Sequence, residues 1–234
     1  MIYFTADTHF GHENIIRHCQ RPFETVAKMD DAMVERWNDV VGPDDTVYHL
    51  GDFAYRCDPG CALNIAARLN GHKHLVPGGH DHGKSCRMLN GAFDVLPPLV
   101  TLQGAGHPPI VLCHYPLLTW WNKGRGSIML HGHCHGRVVG EVRRVDVGVD
   151  AWGFGPVSLD AVLKKACAQA AVQARTASDL LAACEKALEG RCGICISEHA
   201  DMDCKNKAVM QQVRDAFEKA RDRCAASRRT VLGR

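Results

Sequence analysis

The chain carries little net charge, few aromatic residues and no long apolar run. Its 234 residues hold 28 Lys and Arg against 26 Asp and Glu, a formal +2 that is too mild to demand a polyanionic partner. Aromatic residues make up 6%, yet hydrophobic residues reach 46%, a balance that excludes disordered, collagen-like and coiled-coil classes. No stretch approaches the roughly 18 to 20 uninterrupted apolar residues that cross a bilayer. The opening MIYFTADTHF has no basic segment before an apolar core and does not read as a secretory leader. These absences predict a cytoplasmic chain with no membrane partner, one well-filled domain and a small appendage. They leave the oligomeric state open.

Cysteine and histidine are abundant. The 12 Cys are spread over a long chain, so most are expected to be reduced and buried rather than paired in disulfides. The 14 His point to a site, because imidazole is the commonest metal ligand and is seldom needed for packing. Charge is uneven along the chain: residues 1–160 hold 14 basic and 17 acidic side chains, residues 161–234 hold 14 and 9. The basic tail, with Arg221, Arg223, Arg228 and Arg229, would suit a nucleic-acid backbone or simply a solvated helix face.

Apolar runs at Ile2 to Ala6, Thr46 to Leu50 and His74 to Val76 read as buried strands. They alternate with helical spacing at Glu13 to Cys19, Met29 to Val41 and Pro59 to Leu69. Phe93 to Leu102, Ile110 to Cys113, Ser127 to Leu130 and Val138 to Val149 read as further strands, and Val157 to Ala174 opens an Ala-rich helical tail. The pattern predicts an α/β domain over 1–165 and an Ala/Arg/Cys-rich helical extension over 166–234, with ligands gathering at the strands' carboxyl ends.

Five short segments place metal-ligating types just after those strands: Asp7-Thr-His9, Gly51-Asp52, Gly79-His80-Asp81, Cys113-His114 and Gly132-His133-Cys134-His135. Each is weak alone, and their joint order is the signal. Residues two apart on an extended segment point the same way, so Asp7 with His9, and His133 with His135, are each expected to face one site. Cys134 then alternates away. Two carboxylates and four imidazoles suffice for two divalent ions if one carboxylate bridges, and mixed oxygen and nitrogen ligation suits Mn²⁺, Fe or Zn²⁺.

In this order and at these intervals the segments resemble the calcineurin-like metallophosphoesterases, whose pattern is D-x-H, G-D, G-N-H-D/E, H and G-H-x-H. DTHFGHENIIRHCQRPF and GVDAWGFGPVSLDAVL resemble the small bacterial and phage members. The resemblance covers about residues 1 to 160 and implies two packed mixed β-sheets flanked by helices. It implies Asp7, His9 and His135 on one metal, His114 and His133 on a second, and Asp52 on both. Mn²⁺ is the leading choice, with Fe, Zn²⁺, Ni²⁺ or Mg²⁺ as alternatives. His80 would meet the leaving-group oxygen and Asp81 would orient it. Gly79 departs from the pattern: the asparagine amide that ligates the second metal and touches phosphate is missing, so a weakened second site is one expectation and a water-filled gap another.

The implied reaction is in-line attack on phosphorus by a hydroxide activated between two metals, most readily on phosphodiesters of nucleotides or nucleic acid. The alternatives are a weakened phosphate- or nucleic-acid-binding module and a phosphomonoesterase or protein phosphatase. Gly79, His12, Asn14, Arg21 and Arg56 are candidate substrate contacts. The two guanidinium groups would fork onto phosphate or pair with surface carboxylates. Trp120 and Trp121 would stack a base or pack as core or lid. Cys192-x2-Cys195-x3-His199-x4-Cys204 resembles a zinc knuckle one residue short, fitting either a structural Zn²⁺ or thiols buried as small apolar groups.

Overall fold

The structure, a computed structural model, describes residues 1–81, 89, 91–104, 106–138 and 141–192. The chain divides into two compact units, Met1–Gln169 and Ala170–Arg234. The first unit holds two mixed sheets with helices. Strands β1 (Ile2–Thr5), β2 (Thr46–His49), β3 (His72–Leu75) and β4 (Asp94–Val95) run parallel, and β9 (Val157–Ser158) pairs antiparallel with β1, in the order β4-β3-β2-β1-β9. In the second sheet β5 (Leu99–Leu102) runs antiparallel to β6 (Ile110–Cys113), which is parallel to β7 (Ile128–His131) and through it to β8 (Arg144–Asp146).

Period-2 alternation decides which core each strand residue enters. On β1, Tyr3 faces the helices with Val47 and Leu75, while Phe4 faces the other sheet with Ile110, Leu112, Ile128 and Leu130. The helix-side core is closed by α1 (Glu13–His18), α2 (Val26–Val40) and α3 (Pro59–Arg68). On α2, Met29, Met33, Val34 and Trp37 recur at helical spacing and are buried. That helix starts earlier than its apolar stripe because the Thr25 side chain caps it, accepting from Lys28 N at 3.2 Å. Helix α3 begins with Pro59, and the Asp58 carboxylate accepts from Gly60 N at 2.7 Å.

Two of the expected strands break up. Phe93 to Leu102 becomes β4 and β5 in different sheets, because Pro97 and Pro98 cannot donate to a ladder and the chain changes sheet across them. Among the described residues of Val138 to Val149, only Arg144–Asp146 form strand, followed by a 3-10 turn at Val149–Ala151. The thiols also differ from expectation: the six cysteines whose side chains are described are all free, but of these only Cys113 is buried.

Helix α4 (Leu159–Cys192) seats Val162 and Ala166 in the core between the sheets. No described helix is long and apolar enough to cross a membrane. The zinc-knuckle-like residues Cys195, His199 and Cys204 and the tail arginines lie outside the described residues, as do the side chain of Cys192 and all of His82.

Candidate active site

The singled-out residues sit in loops just past the carboxyl ends of β1, β2, β3, β6 and β7. Strand alternation does not aim them. Asp7, His9, Asp52, His133 and His135 all have left-handed backbone, with φ of 57°, 51°, 57°, 66° and 49°. Such conformations cost on the order of 1–3 kcal/mol each and persist only where the surroundings fix them. Here the loops fix one another: Asp7 N donates to Gly51 O, His9 N to Asp52 O, Gly132 N to His114 O and Val149 N to Ala6 O, each at 3.0 Å.

Two glycines let the loops approach this closely. Gly51 has φ +91°, and a Cβ there would lie 2.4 Å from Gly78 N. A Cβ on Gly132 would lie 2.5 Å from Ala6 Cβ and 2.7 Å from Asp7 Oδ2. The glycines preceding Asp52 and His133 are therefore packing requirements of the site.

Three groups of potential ligands converge: Asp7, His9 and His135; Asp52, His114 and His133; and His9, Asp52 and His80. In each, one donor atom per residue lies within 4.8 Å of the others. Asp52 Oδ2 is 3.6 Å from His9 Nε2, 3.5 Å from His114 Nε2 and 3.9 Å from His80 Nε2. Cys134 joins none of these groups.

The donor set fits divalent cations. His114 Nδ1 lies 2.7 Å from Leu50 O, and a carbonyl only accepts, so the proton sits on Nδ1 and Nε2 presents a lone pair to Asp52. His114 Nε2 and His9 Nε2 are buried without any hydrogen-bond partner. The His114 lone pair and the Asp52 carboxylate repel one another in a buried site unless a cation lies between them. Burial is the largest influence on Asp7, and with the charges of Asp52 and Asp146 it pushes the carboxyl up to about 8 although His135 and the His133 N–H oppose this. Burial, then His135 and Arg21, holds the His9 ring neutral and far below its ordinary value. A carboxylate that resists standing alone beside neutral imidazoles is what a metal-binding pocket presents.

The comparisons agree with this geometry. A family model described as Calcineurin-like phosphoesterase matches residues 1–165. The chain belongs to the calcineurin-like phosphoesterase family. An uncharacterized protein of Methanocaldococcus jannaschii is 31% identical over 172 residues, covering 70% of this chain and 89% of its own length. The gene 66 protein of Mycobacterium phage L5 is 28% identical over 181 residues, covering 64% of this chain and 87% of its own. A solved structure, a protein of unknown function from Aquifex aeolicus, is 28% identical with a TM-score of 0.57, covering 70% of this chain and 98% of that one. The family's chemistry is metal-dependent phosphoester hydrolysis, and none of these relatives' names states a substrate.

Around the family's ligand groups the structure adds residues that sequence reasoning missed. His135 Nδ1 lies 2.7 Å from Asp150 Oδ2, which fixes the proton on Nδ1 and leaves Nε2 for the site. Asp150 is gripped by Arg21, Nε to Oδ1 and Nη2 to Oδ2, both at 2.9 Å. Arg21 also donates to Thr8 O at 2.9 Å and to Asp7 O at 2.7 Å. Burial opposes ionisation of Asp150, but hydrogen bonds from His135 and Arg21 hold its carboxyl below the ordinary value. Burial likewise opposes the charged His135 ring, yet hydrogen bonds with Asp150 and Cys19 and the charge of Asp7 raise it to about 10, so an ion binding at Nε2 would displace a proton there. Asp150 was visible only as part of GVDAWGF, and no local signal marked Cys19.

Several candidates stand elsewhere than expected. Arg21 is buried, with its guanidinium spent on Asp150 and the β1 loop, so it is no substrate contact. Asp81 spends its carboxylate on backbone, accepting from Asp52 N at 2.5 Å, Gly78 N at 2.9 Å and Phe53 N at 3.2 Å, and thereby fastens the Asp52 loop rather than the His80 ring. His80 donates its backbone N–H to Asp52 Oδ1 at 2.8 Å, and its partly exposed ring rests on Tyr55 at 4.2 Å between centroids. The His12 ring lies against Tyr55 at 4.5 Å, while Asn14 and Arg56 are exposed. Trp120 is buried with Val111, Cys113 and Met129, and Trp121 is exposed.

Proposed function

We propose that the chain is a phosphodiesterase acting on nucleotides or nucleic acid with two divalent ions, Mn²⁺ foremost. Asp7, His9 and His135 would hold one ion, His114 and His133 the other, and Asp52 both. The observation that carries this reading is the single Asp52 oxygen faced by unpartnered His9 Nε2 at 3.6 Å and His114 Nε2 at 3.5 Å. Bound there, such ions would supply Lewis-acid stabilisation of phosphoryl oxygens and ease the deprotonation of the attacking water.

The chain's own residues do the rest. Asp81 and Arg21 hold the loops that carry Asp52 and Asp7. His80, at the open edge on Tyr55, is placed to give a proton from its ring to the departing alkoxide. A poor alkoxide leaving group profits most from that proton. Arg56, which is exposed, would with His12 and Asn14 contact a non-reacting phosphate of a nucleotide. This reading assigns the chemistry to residues 1–165 and treats 166–234 as a helical extension.

A model phosphodiester and a model phosphomonoester, each assayed with Mn²⁺ while bound metal is counted, test it. Faster diester hydrolysis with two ions per chain is the expected result. Hydrolysis of neither ester, with phosphate still bound, would replace the enzyme with a binding module.

A further inference from the structure

The backbone at Gly79 passes directly over Asp52 without presenting a side chain. A Cβ built there would lie 3.8 Å from Asp52 Oδ1 and 3.3 Å from the Tyr115 hydroxyl. The space where a side chain at position 79 would begin is thus bordered by a phenol oxygen. We propose that the Tyr115 hydroxyl is the phosphate-contacting donor at the edge of the Asp52, His114 and His133 group, taking the room that the absence of a side chain at Gly79 leaves open.

The phenol is held in place from two sides. Its ring meets His114 edge-on at 4.8 Å and 81°, and His133 at 4.9 Å and 65°. Tyr115 follows His114 at the end of β6, a strand buried at every residue, so its backbone rests on a rigid element. Yet 44% of the residue is exposed, so the side chain is open to an arriving ligand. A phenol offers an O–H donor, whereas the Asp52 carboxylate of this group only accepts. A donor fixed at the rim is what a phosphoryl oxygen gaining charge requires. A side chain at 79 would start in tight contact with the hydroxyl, so an asparagine there requires the Tyr115 ring to give way.

This inference rests on the phosphoesterase reading, and the test separates the two. Tyr115→Phe, Gly79→Asn and the double variant are compared with the parent for diester kcat/KM, for inhibition by inorganic phosphate, for Mn²⁺ per chain and for unfolding midpoint. Tyr115→Phe is expected to lose about 10- to 100-fold in kcat/KM, the worth of one hydrogen bond to a charged group. Phosphate inhibition should weaken in parallel while Mn²⁺ content and midpoint stay put. Gly79→Asn should recover part of the loss when combined with Tyr115→Phe, because the amide then has room.

A Tyr115→Phe variant that cleaves the diester and binds phosphate as the parent does overturns the proposal. So does one that loses its Mn²⁺ and its midpoint together, because Tyr115 is then a packing residue. A parent that cleaves no ester defeats the phosphoesterase reading instead, and direct titration of the Mn²⁺-loaded variants with inorganic phosphate still decides Tyr115.

Discussion

Asp150→Asn removes one charge from the point where His135 and Arg21 meet. The carboxylate accepts three hydrogen bonds, from Arg21 Nε and Nη2 at 2.9 Å each and from His135 Nδ1 at 2.7 Å. The pair is buried, with side-chain exposure of 0% for Arg21 and 8% for Asp150. Removing one partner of a buried pair entirely costs about 3–5 kcal/mol. Asparagine keeps the shape and one carbonyl acceptor, so a loss of about 2 kcal/mol in unfolding free energy is expected. His135 meanwhile loses the acceptor that fixes its tautomer and ring, a kind of change that lowers metal affinity about 10- to 100-fold. Urea unfolding in chelator reads the first effect, and calorimetric Mn²⁺ titration of the folded protein reads the second. Arg21→Lys should act in the same direction, because an ammonium cannot span Asp150, Thr8 O and Asp7 O together. The reasoning fails if Asp150→Asn binds Mn²⁺ within about twofold of the parent and unfolds within about 0.5 kcal/mol of it, the ordinary range of a surface substitution.

His80→Gln should slow cleavage of esters with poor leaving groups by about 10² to 10⁴ and of activated aryl esters far less, read as a steeper dependence of rate on leaving-group pKa. Gly132→Ala would drive a Cβ to 2.7 Å from Asp7 Oδ2, and a loss of about 1–3 kcal/mol of stability together with weakened Mn²⁺ binding is expected by unfolding and titration. His49 is fully buried, and burial first, then His114, lowers its pKa to about 3, while the unfolded ring titrates near 6.5. Below pH 6.5 the unfolded chain therefore takes up a proton that the folded chain refuses. Stability falls by about 2 kcal/mol between pH 7 and 5, and the difference between parent and His49→Gln urea profiles should carry that slope.

The fold was legible because apolar runs and turns are local. Tyr3 and Phe4 enter opposite cores by alternation alone, and Met29, Met33 and Trp37 mark the buried face of α2 by spacing alone. What failed was pairing. Phe93 to Leu102 is apolar enough for one strand, but Leu75 is paired by Val95 and Cys113 by Leu99, in different sheets. Nothing within that stretch names its partners, although Pro97-Pro98 marks the place where the ladder must break.

The site was legible to the same depth. Asp7, His9, Asp52, His114, His133 and His135 stand out in the sequence because each ends an apolar strand, and a strand end is where a loop can turn a polar group toward its neighbours. Left-handed backbone, and not strand pleat, brings Asp7 and His9 together with His135. What surrounds the ligands depends on contacts 126 residues apart for Asp7 with His133 and 129 for Arg21 with Asp150. No window along the chain contains such pairs. Arg21 shows why this matters. On sequence a guanidinium beside the site invites phosphate, whereas its burial and its bonds to Asp7 O, Thr8 O and Asp150 make it the clamp that ties the Asp7 loop to Asp150. Substrate contacts must therefore be sought among polar groups that the scaffold has not already consumed, and at the Asp52, His114 and His133 edge the exposed Tyr115 is such a group.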